Sequence, residues 1–562
     1  MTTDPHAEPS SALDAALNQS GALAGYNAFL GDRAFREAVT ALGADWASDR
    51  LSALGAAVGS AEVIANAEAA NRHPPEWQSH DRFGNRRDEI AFHPAWHALM
   101  TLARGAEVHS LPWSAEAHPS GSGTAARKGA HLVRAGLSYL LNQAENGICC
   151  PITMTFAAPA ALRHAPDLLA RFSAGILAAG HDPRPLAPDQ KTALSVGMAM
   201  TEKQGGSDLR QTRTTARQAG DLWLLDGHKW FFSVPQSDLF LTLARSGRGI
   251  SCFLAQGWRD DGSRNGLFIQ RLKDKCGNRS NASAEVEFRG LEARLVGEEG
   301  RGIATILEMA HLTRLDCAIS AGAIMRQALT QAIHHTSHRS AFGRRLIEQP
   351  LMQAVLADLA LDSEAFLWSG LRLAATQGGD DEAEHLLGRL VIPMGKYLAC
   401  KRTPAFVAEA MECHGGNGFV EPHPLARLYR EAPLNGIWEG SGNVVCLDVL
   451  RAARNAPESL GLWLDETRKA RGASREFDRA LADFEPLLRD LDTAEPRARL
   501  IVERMARLFQ AGLLLRHAPD TVAHAFCRAR LGPHHGQDYG ATSGIGPAAR
   551  ILERAAVGPM QG

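Results

Sequence analysis

No stretch of about 18 uncharged apolar residues occurs in the sequence, which excludes a membrane-spanning helix. Residues 1–20 also lack a basic segment followed by an apolar run, so an unprocessed protein is expected. Cysteine is sparse and unpatterned: nine residues, no Cys-x-x-Cys pair, and two of them adjacent at Cys149 and Cys150. That excludes a disulfide framework and a zinc site, leaves no metal expected, and fits a reducing cytoplasm. An excess of one charge is missing too. With Lys+Arg 60 against Asp+Glu 62 the net charge is −2, so any surface for nucleic acid must be local. What is present is ample apolar content, 45% of 562 residues, enough for several domains.

Residues 1–20 read as a flexible lead-in. An α domain follows over 21–195, where Phe35, Val39, Leu42 and Trp46, then Leu51, Leu54, Val58 and Val63, recur at helical spacing until Pro74-Pro75. Gly121, Gly123 and Ala126 imitate a dinucleotide fingerprint, but no strand precedes them and no Rossmann site is expected. The uncharged run 148–159 reads as buried and pocket-lining. Over 196–300 the period changes to short strand candidates, among them 222–225 and 229–232 with an Asp226-Gly227 turn between them, and a small barrel or sandwich is expected. Helices return over 301–455 as a bundle: 303–338, 350–375, 382–401 with a kink at Pro393, and 404–414. An additional helical domain is expected over 456–562. From Arg451 onward it holds about 17 basic and 14 acidic residues, so a basic face there requires the fold to segregate them.

Three constellations carry chemistry. The turn Met198-Ala-Met200-Thr201-Glu-Lys-Gln-Gly205-Gly206-Ser207 joins hydroxyls to glycines that let backbone amides approach a ring edge or a diphosphate, and a flavin requires both. The aromatic run Trp230-Phe231-Phe232 ends in Ser233, offering a wall for a planar cofactor and a hydroxyl for its reactive nitrogen. In Ile437-Trp438-Glu439-Gly440-Ser441-Gly442-Asn443 one carboxylate stands between an indole and a Gly-Ser-Gly turn, where apolar neighbours raise its pKa and poise a general base. Ser441 or Asn443 could equally cap the next helix, leaving Glu439 a solvated loop acid.

Taken together these segments resemble the acyl-CoA dehydrogenase family over residues 20–455. Arg339-Ser-Ala-Phe342-Gly343 is similar to that family's Arg-x-x-Phe-Gly segment, and Gly415-Gly416-Asn-Gly-Phe to its glycine turn. The match is closer to one branch, flavoproteins of the response to DNA alkylation, through blocks such as Phe92-His-Pro-Ala-Trp-His97 and Gly227-His-Lys-Trp-Phe-Phe-Ser-Val-Pro-Gln-Ser-Asp238.

The resemblance implies an N-terminal α domain, a middle β barrel, an α bundle and an extra C-terminal helical domain. It implies FAD on Met198, Met200, Thr201, Gly205, Gly206, Ser207, Phe231, Phe232, Ser233, Ile437, Trp438, Gly440, Ser441, Gly442 and Asn443. Arg339, Phe342, Gly415 and Gly416 would serve a neighbour's flavin, hence a homotetramer. Glu439 would be the base, and Arg314 would line the acyl pocket. The reaction implied is α,β-dehydrogenation of an acyl-CoA thioester, weak and on isovaleryl-CoA, with the substrate carbonyl held by the Glu439 amide. The extra domain implies double-stranded DNA as a partner, with Arg497, Arg499, Arg504 and Arg507 as candidate contacts. A catabolic short-branched-chain acyl-CoA dehydrogenase is the alternative.

Overall fold

A computed structural model describes residues 17–114, 129–533, 536–542 and 544–557. The Gly121–Ala126 segment and residues 1–16 of the lead-in lie outside these. Residues 18–20 are tied down, because Asn18 Nδ2 donates to Ser340 O and Arg339 Nη1 to Asn18 O.

Helices α1 (Arg33–Ala41), α2 (Ser48–Val58) and α3 (Ala61–Arg72) follow the apolar spacing, with Asp32 and Ser60 accepting from the Phe35 and Val63 amides as caps. Past Pro74-Pro75 the chain makes a hairpin that sequence pattern did not announce, β1 (Glu76–His80) with β2 (Arg86–Ala91). Its residues are mostly polar, so no alternation marks it. It is instead fixed from outside, Asp88 accepting from Ile269 N and Arg86 donating to Ile269 O. Next come α4 (Pro94–Gly105), α5 (Ala130–Ala144), α6 (Cys149–Leu162) and α7 (Pro166–Leu177). Helix α5 is buried on every face. The uncharged 148–159 run is α6, and it is buried as expected.

The middle segment is one sheet of β3 (Val196–Ala199), β4 (Thr215–Ala219), β5 (Leu222–Phe232), β6 (Leu239–Ser246), β7 (Gly249–Gln256), β8 (Leu267–Leu272) and β9 (Ala284–Val296). The order β6-β4-β5-β9-β7 closes on itself because β7 also pairs β6, which makes a barrel. The expected turn at Asp226-Gly227 does not exist. Strand β5 runs through it with a register shift between Leu225 and Gly227, since β9 is long enough to pair both halves. Gly227 takes φ 155° there, where a Cβ would meet Thr214 Oγ1 at 2.5 Å.

The bundle follows: α8 (Gly302–His338), α9 (Pro350–Ala375), α10 (Glu382–Glu412), the short α11 (Gly416–Phe419), α12 (Pro424–Glu431) and α13 (Gly442–Asn455). The two helices expected over 382–414 are one, α10, running through Pro393 and Pro404. Each proline removes a backbone bond worth keeping, but burial of Leu390, Val391, Met394, Phe406 and Val407 on both sides offsets it. The tail adds α14 (Pro457–Arg468), α15 (Arg475–Phe484), α16 (Ala498–His517), α17 (Asp520–Leu531) and α18 (Ala548–Ala555). One apolar core joins the N-terminal helices, the bundle and the tail, containing Phe35, Tyr139, Ile324, Trp368, Val449, Trp463 and Phe526, while the barrel packs its own around Phe232, Phe240 and Val286.

Buried charge stitches the tail to the bundle. Asp362 of α9 meets Arg402, Arg507 and Arg530 and accepts from Tyr539 Oη at 2.9 Å. Arg554 bridges Glu364 and Glu37. Elsewhere, burial and the neighbouring Glu145 push Glu431 up to about 7, although its carboxylate accepts from Asn278 N at 2.8 Å. A raised carboxyl costs stability once ionised, so the cost is present above about pH 7 and is relieved as pH falls toward the unfolded value. Glu431→Gln is therefore expected to raise Tm at pH 8, with the gain shrinking at pH 5, as scanning calorimetry would read.

Among the described residues no helix is long and apolar enough to cross a membrane, and no group of His, Cys, Asp and Glu could hold a metal ion.

Candidate active site

The loop before α13 holds Glu439 in the left-handed region, φ 56°, followed by Gly440 at φ 98°. For a residue with a Cβ this costs about 1–2 kcal/mol, so neighbours must impose it. They are two cations. Lys396 of α10 donates from Nζ to Trp438 O at 2.8 Å and to Gly440 O at 2.5 Å, while Arg314 of α8 donates from Nε to Glu439 O at 3.0 Å. Asp448 fixes Arg314 in turn, at 2.7 Å from Nη1. The Trp438 indole donates to Asn435 Oδ1, and Asn435 donates to Ser320 Oγ.

Glu439 and Trp438 line a small cavity, open at its mouth, with Thr313, Asp316 and Cys317 of α8 and Cys150, Thr153 and Met154 of α6. Burial pushes the Glu439 carboxyl above its ordinary value, while the Thr313 hydroxyl, Arg314 and Lys396 pull the other way. That hydroxyl donates to Ala310 O at 3.0 Å, so it serves Glu439 only by turning. Ser441 occupies the N-cap of α13 without a side-chain bond, so the loop is not organised around capping.

The glycine turn converges on the same region. Met198 is buried in an apolar cluster with Met154, against which Met200 and Trp438 both pack. Glu202 and Gly205 exchange backbone bonds at 3.0 and 3.1 Å, and Thr201 O accepts from Trp230 N, which ties the turn to β5. At Gly206 a Cβ would lie 2.4 Å from Thr201 Oγ1, whereas Gly205, φ 154°, faces open space.

Family comparisons agree with this arrangement. Three family models match in order: the AidB N-terminal domain (adaptive response protein) over residues 18–183, the acyl-CoA dehydrogenase middle domain over 197–291 and the acyl-CoA dehydrogenase C-terminal domain over 300–454. AidB of Escherichia coli (strain K12), named as a candidate acyl-CoA dehydrogenase, is 43% identical over 518 residues, covering 92% of this chain and 94% of that protein. The chain belongs to the acyl-CoA dehydrogenase family. A second relative, acyl-CoA dehydrogenase family member 11 of Caenorhabditis elegans, is 29% identical over 83% of this chain and 81% of that protein. The crystal structure of that nematode's ACDH-11 with C11-CoA superposes with a TM-score of 0.81 at 25% identity, covering 99% of this chain and 94% of that one. Butyryl-CoA dehydrogenase of Megasphaera elsdenii shares the fold at TM-score 0.54, with 97% of its chain matched by 70% of this one.

This acyl-CoA dehydrogenase is accordingly an FAD-dependent oxidoreductase, and the residues present suit a flavin. Among the described residues the hydroxyls of Thr201, Ser207 and Ser233 have no protein hydrogen-bond partner, and Phe231 stands 48% exposed. Free hydroxyls beside a half-exposed aromatic ring, over which Lys273 Nζ stands 4.6 Å from the centroid, suit the polar edge and flat ring of an isoalloxazine. Phe232 does not join them. Strand alternation turns it into the barrel, fully buried against Phe240 at 4.8 Å, so only Phe231 can face a cofactor.

Other expected residues lie apart from the Glu439 cavity. Arg339, Phe342, Gly415 and Gly416 gather where residues 18–20 dock: Asn417 donates to Gln19, and the His335 and His414 rings stack at 4.6 Å. Phe342 is 97% exposed there. Arg314 does not line the cavity, because Asp448 and the loop carbonyl hold its guanidinium. Of the tail arginines, Arg497, Arg499 and Arg504 are exposed, and Arg499 Nε donates to Asn443 Oδ1 at 2.8 Å. Arg507 is buried on Asp362 and cannot face DNA. Sequence reasoning missed Lys396, Asp448 and Asn435. For Lys396 a signal existed, a lone charge inside the apolar run Leu390 to Cys400.

Proposed function

We propose that this AidB-like flavoprotein belongs to the adaptive response to DNA alkylation, working in the cytoplasm as a homotetramer that binds double-stranded DNA and retains weak isovaleryl-CoA dehydrogenase chemistry with Glu439 as base. The observation that carries the chemistry is the Glu439 carboxyl, raised by burial, at a cavity beside the glycine turn. FAD, when bound, supplies the hydride acceptor. Glu439 takes the proton from the carbon next to the thioester carbonyl, and its own backbone N–H donates to the carbonyl oxygen as charge develops there. Trp438 and Met200 screen the reacting carbons from water, while Thr201, Ser207, Ser233 and Phe231 hold the cofactor. Ser441, Gly442 and Asn443 at the start of α13 would contact the cofactor as well. The C11-CoA complex of the nematode relative supports an acyl-CoA thioester as ligand.

The DNA part rests on the AidB relative and on the exposed arginines that open α16. Binding should be insensitive to sequence and fall steeply with salt, since phosphates would be the contacts. The double variant Arg497→Glu and Arg504→Glu is expected to weaken duplex binding and to flatten the log–log salt slope by about 2, with flavin content unchanged. Arg499 is left in place because it holds Asn443. No mobility shift of wild-type protein with duplex DNA at low salt would end the DNA reading. It would favour instead a catabolic short-branched-chain acyl-CoA dehydrogenase, for which the cavity beside Glu439 speaks; ordinary enzyme turnover on isovaleryl-CoA would favour it too.

A further inference from the structure

Lys396 is 1% exposed in the middle of α10, and among the described residues no carboxylate forms an ion pair with it. An ammonium buried without an ion-pair contact is costly, and the Glu439 carboxylate acts on it only through space. What the ammonium has instead is the base loop. Its Nζ reaches the carbonyls of Trp438 and Gly440, and Arg314 takes the carbonyl of Glu439 between them. Three successive carbonyls are thus turned onto two cations from two different helices. In this arrangement residues 439 and 440 take positive φ, 56° and 98°.

We infer that Lys396 is the positioning residue for the base, holding the peptides on either side of Glu439 so that its carboxylate enters the cavity in one orientation. The inference rests on Glu439 being the base. Released from Lys396, the loop would relax toward ordinary φ and carry the carboxylate off its line of approach, while leaving the thioester's binding surfaces in place. The cost should therefore fall on kcat rather than KM. The ammonium also favours ionised Glu439, so its removal should move the acid limb of the pH profile upward. Arg314 and Asp448 guard the middle carbonyl from α8 and α13, and Arg389 stands on Asp448. The residual order after loss of Lys396 would come from them.

The test uses the FAD-loaded full-length protein as wild type, Lys396→Met, Lys396→Arg and Glu439→Gln. One readout is the pH profile of isovaleryl-CoA turnover. The other, independent of turnover, is a carboxyl-13C glutamate NMR titration in which the resonance lost in Glu439→Gln identifies Glu439. Lys396→Met should lower kcat about 100-fold with KM little changed. It should raise both the acid limb and the Glu439 titration midpoint by about one pH unit. Lys396→Arg keeps the charge and should restore the midpoint while recovering only part of kcat. A Lys396→Met protein with wild-type kcat, acid limb and 13C midpoint would overturn the inference. If Lys396→Met fails to fold, the arginine variant decides. A displaced midpoint there would overturn the inference, and a wild-type midpoint with lowered kcat would support it. Turnover surviving in Glu439→Gln would instead overturn the assignment of the base.

Discussion

Asp362→Ala is expected to destabilise the protein by about 3–5 kcal/mol and to loosen the tail before the barrel. The aspartate side chain is fully buried in α9 and neutralises Arg402 at 3.2 Å, Arg507 at 3.0 Å and Arg530 at 2.8 Å. Those three guanidiniums hold its carboxyl far below the ordinary carboxylate range despite burial. Removing it leaves Arg402 and Arg507 without their counter-charge, Arg530 keeping Asp358 at 2.6 Å, and deprives the Tyr539 hydroxyl of its acceptor. The sign with pH is definite. A depressed carboxyl contributes stability that is present above the unfolded pKa and lost as pH falls through the folded one, so wild type should keep this contribution well into acid. Calorimetry would read the loss as a lower Tm, and amide exchange would locate early opening in α16 and α17. A variant melting with wild type would mean that the cluster contributes nothing.

Glu439→Gln is expected to lower kcat/KM for isovaleryl-CoA by about 10²–10⁴-fold while leaving FAD content and fold intact. Glutamine matches the volume and can be held at the same φ by the same two cations, so only the proton acceptor is lost. Burial opposes charge at this site, hence the variant should melt no lower than wild type. Because the base works ionised and its pKa is raised, wild-type kcat/KM should fall with pH along a limb lying above the ordinary carboxylate value. Steady-state assays with an artificial electron acceptor across pH would measure both effects.

The fold was readable wherever one physical signal governed a segment. Helical spacing announced α8, α9 and the tail, and the change of period announced the barrel. It failed where distant partners decide. Polar β1 and β2 exist because Asp88 and Arg86 bond the far side of Ile269, and β5 ignores its Asp-Gly signal because β9 pairs across it. Helix α10 passes two prolines because buried residues flank each of them. At the site, Glu439 and the glycine turn stood out through residue type and spacing. The residues that shape them did not. Lys396, Asp448 and Asn435 lie 43, 9 and 4 positions from Glu439 with no motif between, and only packing brings them in. Phe232 and Arg507 misled for a common reason, since a residue's type does not say which way strand or helix will turn it.

Anaerobic titration of the FAD-loaded protein with isovaleryl-CoA tests the central claim most directly, following the visible flavin band in wild type and in Glu439→Gln. The band should bleach in wild type and stay unbleached in the variant over the same time. Equal bleaching in both would contradict Glu439 as the base, and no bleaching in either would contradict the retained thioester chemistry.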